Sequence, residues 1–179
     1  VLMSFNGPGP LTQNQRVMIT PGMGVRTIGE VLATAGVVDS PWRFELAARL
    51  AFAARIMQAG EYEFPAKISL QQVVQKLSGG DVVHRQITLP EGITIEQARD
   101  LIMADEGLRG PPLNFSEGAL LPETYTYDFG TKRIDLMRQM AQAMNAAVAE
   151  AWSGRAADLP LQSPAELLTL ASIVEKETP

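Results

Sequence analysis

At 179 residues and 46% hydrophobic content, the chain suits one domain or two small ones and has enough apolar side chains for a real core. A net charge of −5 with no basic run excludes the cationic footprint that nucleic-acid binding draws on. With no cysteine and a single histidine, His84, disulfides, thiol nucleophiles, most zinc sites and a Ser-His-Asp triad fall away, and no metal or cofactor is expected.

No apolar run approaches the roughly 20 residues of a membrane span. Residues 16–20 (RVMIT) read as a strand, with Pro21-Gly22-Met23-Gly24 as the turn out of it. Thr27 to Ala35 follows as a helix with Ile28, Val31 and Leu32 inward and Gly36 as its C-terminal cap. Ser40-Pro41 starts a second helix, expected to run to about Met57 with Phe44, Ala47, Ala48, Ala51 and Phe52 inward. Tyr62 to Phe64 returns as a short strand. Ser69 to Gln72 opens the next helix with a capping box, and Gly79-Gly80 closes it.

Gln86 to Leu89 reads as a strand, and Thr94 to Gln97 repeats the capping box ahead of a helix carrying Ala98, Leu101 and Ile102. This strand-Pro-x-Gly-helix run at 87–102 echoes residues 17–32. His84 is expected at a strand edge or on the surface. Arg109 to Pro112 is a linker. Arg133 to Trp152 is a long helix whose stripe of Met137, Met140 and Met144 reads as core rather than a cofactor box.

The last helix is the most informative. Ser163, Pro164 and Glu166 mark its start. Leu168, Ala171, Ser172 and Glu175 then follow at i, i+3, i+4 and i+7, so Glu175 shares a mostly apolar face, while Glu177 lies about 200° further round. Burial there would raise the carboxyl pKa and hold a proton near neutral pH, as a general acid requires. The bland alternative is an arginine-paired or solvated helix end.

Four segments carry a resemblance. Leu170 to Thr178 (LASIVEKET) looks like the catalytic-helix signature of MltG-type (YceG-like) endolytic murein transglycosylases. Glu117 to Tyr125 (EGALLPETY) resembles that family's EG-x-L-x-P-[DE]-TY segment, and Ala59 to Phe64 (AGEYEF) its AG-x-Y-x-F strand. Gly7 to Leu11 (GPGPL) is similar to the segment after the family's membrane anchor, which makes Val1 to Phe5 the expected stub of that anchor.

The resemblance implies an α+β fold: a LysM-like βααβ module over residues 14–80, then the first part of a mixed α/β transglycosylase domain over 81–179. With Pro179 just past the catalytic helix, further chain is expected to complete the groove. Glu175 becomes the catalytic residue, acting as acid and then base. The implied substrate is the β-1,4 bond between N-acetylmuramic acid and N-acetylglucosamine, cleaved to 1,6-anhydro ends. Implied too are a place at the periplasmic face of the bacterial inner membrane, peptidoglycan strands as partner, and association with cell-wall synthesis proteins. Around Glu175, Ser172 either hydrogen-bonds the carboxyl group or, as its own chemistry favours, the helix backbone. Tyr125 and Tyr127 either offer faces to sugar rings or form the inner face of a strand, and Glu123 either binds hydroxyls or pairs on the surface. Glu117 belongs to the same lining or simply caps a turn. The rival from another class is a non-catalytic glycan-binding module; a protein–protein scaffold is a third reading.

Overall fold

A computed structural model describes residues 5–54 and 56–177. Val1 to Ser4 of the expected anchor stub, and Thr178 and Pro179 of the terminal motif, lie outside the described residues. The architecture is α+β, in two compact units, Val1–Val83 and His84–Pro179.

The first unit runs β1 (Gln15–Ile19), α1 (Val25–Thr34), α2 (Pro41–Leu50), β2 (Gly60–Phe64) and α3 (Leu70–Gly79). β1 and β2 pair antiparallel with Val17 opposite Tyr62, and Val17, Ile19, Tyr62 and Phe64 turn their side chains into the core under the helices. The helix ends follow local chemistry. Gly36 takes φ 74°, letting Val37 donate to the Leu32 carbonyl at 2.8 Å and go into the core. Ser69 and Gln72 form the expected capping box on α3.

α2 departs from expectation. It stops at Leu50 instead of reaching Met57, and Ala51 and Phe52 face solvent rather than the core. Phe52 adopts φ 53° and is 90% exposed, while its N–H donates to the Arg49 carbonyl at 3.1 Å and that of Ala53 to Ala48 at 2.9 Å. This is the glycine-type helix stop made with a phenylalanine. Packing overrides helix propensity here: reversing at Phe52 buries Ala53 at 3% exposure.

The second unit runs β3 (His84–Thr88), α4 (Ile95–Ala104), β4 (Leu108–Arg109), β5 (Thr124–Asp128), β6 (Thr131–Lys132), α5 (Arg133–Ser153) and α6 (Pro164–Glu177). β3 pairs antiparallel with β5, placing Ile87 opposite Tyr125, and β4 pairs parallel with β6. Ile87, Ile102, Tyr125, Leu136, Met137 and Met140 share one core, so the methionine stripe is packing, as its spacing predicts. Both units start with the same strand–turn–helix unit, and the turn glycines Gly22 and Gly92 take φ 89° and 69°. α6 begins as expected, with Ser163 Oγ accepting the Glu166 N–H at 3.3 Å, yet none of its described residues is buried.

Candidate active-site groove

The Glu117–Tyr125 segment is built to hold a fixed course. Ala119 N–H donates to Ser116 O at 3.2 Å, closing a turn through Gly118 at φ 73°. A side chain on Gly118 would come within 3.3 Å of Leu168 on α6. Leu120 is buried, Leu121 N–H donates to Met140 O on α5 at 3.3 Å, and the Tyr125 hydroxyl donates to Leu121 O at 2.8 Å. Glu117 reaches back across 22 residues, both carboxylate oxygens accepting from the Ile95 N–H at 3.2 and 3.1 Å. Ile95 is the first residue of α4, so this carboxylate caps a helix rather than a turn, against the positive end of the helix dipole.

This course leaves a groove of about 640 Å³ between the 92–95 turn, the Glu117–Pro122 segment and α6. Glu117, Ser172 and Glu175 all line it. Lys176 and Glu177 line it as well, although helical spacing put Glu177 elsewhere: the groove runs over the end of α6, where adjoining faces share one rim.

Other placements correct the sequence reading. Tyr125 and Tyr127 are 5% and 6% exposed and belong to the core, so their rings offer no face to a sugar. Alternation along β5 decides this, sending Tyr125 and Tyr127 in and Thr124, Thr126 and Asp128 out. Burial, with the Glu123 charge second, pushes the Tyr125 hydroxyl pKa up. Burial also leads for Tyr127, whose pKa rises to about 12 with a hydrogen bond to Asp105 Oδ1 at 2.5 Å as the next cause. Phe129, next in that alternation but past the end of β5, is 37% exposed beneath the Arg85 guanidinium.

Glu123 is exposed and is not among the groove residues, although its neighbour Pro122 is. Ser172 Oγ donates to the Thr169 carbonyl at 2.8 Å, the backbone bond its chemistry favours, and not to Glu175. Glu175 itself is exposed, so of the two readings of its surroundings the solvated helix end holds and burial among apolar neighbours does not. His84 sits exposed at the start of β3, its Nδ1 2.7 Å from Asp128 Oδ1.

Sequence reading missed the 92–95 turn as a groove wall. The Thr94 capping box was the available signal, because it marks a helix start whose N–H groups face outward for an acceptor.

The YceG-like family model matches residues 17–179. The chain belongs to the YceG-like family. Among solved structures, it is similar to a YceG-like protein from Listeria monocytogenes at 21% identity and a TM-score of 0.39, covering 79% of this chain. The chain spans 57% of the length of that protein. No curated protein matches it.

Proposed function

We propose that the chain carries the acid-bearing part of an endolytic peptidoglycan lytic transglycosylase, with Glu175 as the sole proton-transfer residue. The observation that carries this reading is the shared groove: in a YceG-like chain, the carboxylate of the terminal motif and the Glu117 motif line one cleft.

The chemistry needs only that carboxyl group. Protonated Glu175 gives its proton to the glycosidic oxygen as the bond from that oxygen to C1 of the muramic sugar breaks. The oxocarbenium-like centre is then attacked by the sugar's own C6 oxygen. Glu175, now a carboxylate, takes the C6 hydroxyl proton, leaving a 1,6-anhydro end and the regenerated acid. No water is consumed, which separates this route from glycoside hydrolysis with its second catalytic group. The exposed Glu175 is open to the substrate, and a glycan filling the cleft would displace water from around its carboxyl group. Ser172 and Glu117 would line the bound glycan, and Glu123 would meet hydroxyls beyond Pro122 at the groove edge.

In the same reading residues 14–80 form a LysM-like module and residues 81–179 the first part of the catalytic domain. The protein would act at the periplasmic face of the inner membrane, on peptidoglycan strands and beside cell-wall synthesis proteins. The exposure of Glu175 also suits the rival, a glycan-binding module without turnover. Mass spectrometry of peptidoglycan incubated with the 179-residue chain, and with a longer form that carries it, separates the two. New 1,6-anhydromuramic ends are expected from the active form and none from its Glu175→Gln variant, which should fold and bind glycan normally. Reducing ends would mean hydrolysis; binding with no products would leave the binding module.

A further inference from the structure

We propose that Glu117, rather than Glu177 beside the acid on α6, supplies the groove with a fixed negative charge that stabilises the oxocarbenium-like state generated by Glu175. This rests on the transglycosylase reading above and adds a residue to it.

Three observations carry the assignment. Glu117 and Glu175 line the same groove from different elements, one from the segment before β5 and the other from α6. Glu123, the other acid of the motif, is not among the groove residues. The third is the bond from Ile95 N–H to both oxygens of Glu117, at 3.2 and 3.1 Å.

That bond determines what Glu117 can do. Thr94 and Gln97 already satisfy each other's N–H groups through their capping box, so Glu117 supplies the acceptor for the next free donor of α4. Both its oxygens are turned to the Ile95 N–H, so the backbone orients the carboxyl group at the start of α4 rather than leaving it free to swing toward C1. The charge remains available to act through space on positive charge developing in the cleft, without a proton transfer or a covalent intermediate. The turn through Gly118 and the buried Leu120 keep it in place, so no reorganisation is needed when that charge appears. Such a residue should change the rate and leave the product unaltered. A base at this position would instead activate water and yield reducing ends.

Glu117→Gln tests the proposal, because glutamine keeps an oxygen for the Ile95 N–H and loses only the charge. Turnover of peptidoglycan and thermal melting are measured for the active form, Glu117→Gln, Glu117→Ala and Arg133→Ala. The last removes the Arg133 hydrogen bonds to the carbonyls of Ile102, Met103, Asp105 and Gly110, none of which lines the groove, and serves as the stability control. The expected result for Glu117→Gln is a kcat loss of about 100-fold with KM and Tm near the parent values and products still 1,6-anhydro. Glu117→Ala should lose kcat and lower Tm together. Parent-like kcat in Glu117→Gln would overturn the proposal. So would a kcat loss no larger than that of Arg133→Ala at equal loss of Tm. A parent that releases no 1,6-anhydro ends would sink the transglycosylase reading instead, whatever Glu117 does.

Discussion

Tyr127 gives the second unit a weakness toward alkali that can be read from one hydroxyl. Its pKa is about 12 in the fold, against 10.0 when unperturbed, so the folded state keeps a proton that the unfolded chain has already released. The sign follows: the contribution is fully present below pH 10 and is lost as pH rises from there toward about 12. Tyr125 is raised by burial in the same direction and adds to the loss, and Tyr62, also raised by burial, does the same for the first unit. Denaturant unfolding followed from pH 9 upward should show stability falling above pH 10, with a shallower fall in Tyr127→Phe; equal slopes would contradict the account. Part of this residue-level detail was legible. Period-2 alternation in TYTYD pointed to two buried tyrosines as one of two readings, and the competing appeal of aromatic sugar platforms was wrong. Arg133 was not legible at all. Its guanidinium donates to the carbonyls of Ile102, Gly110, Met103 and Asp105 at 2.9, 3.0, 3.1 and 3.0 Å, closing the end of α4. Carbonyls are present at every residue, so no side-chain pattern announces which ones an arginine 23 to 31 positions away will find.

Helix starts were far easier to read than helix ends. The boxes at Ser69 and Thr94 form in full, each side chain within three residues of its partner, while at Ser163 only half forms, because the Glu166 carboxylate accepts the Gln162 N–H instead. Such caps carry measurable energy. Ser69 is 7% exposed and accepts the Gln72 N–H at 3.3 Å, so Ser69→Ala should lower stability by about 1 kcal/mol in denaturant melts. A change within a few tenths would mean that water or a neighbour replaces the cap. The end of α2 misled because its alanine-rich sequence favours continuation, and the reversal depends on where Ala53 packs in the finished core. Burial on α6 misled for a related reason. An apolar stripe identifies the face that would suit a covering partner; it does not supply one.

Across the whole molecule, each unit closes on a pair of antiparallel strands from distant parts of the chain, Gln15 with Phe64 in one and His84 with Asp128 in the other. The proposed chemistry lies wholly within the second unit, as groove, Glu117 and Glu175 all belong there. The first unit carries a different exposure. Phe52 holds a left-handed conformation with its ring in solvent, between α2 and the return to β2. A protease that cleaves after aromatic residues meets there a side chain free to enter its pocket and a helix turn that frays cheaply. Brief chymotrypsin treatment should therefore nick the chain first after Phe52, ahead of the buried Phe44, Tyr62 and Phe64. β1 lies before the nick and β2 after it, so the two fragments should stay together through their strand pairing and separate only in denaturant.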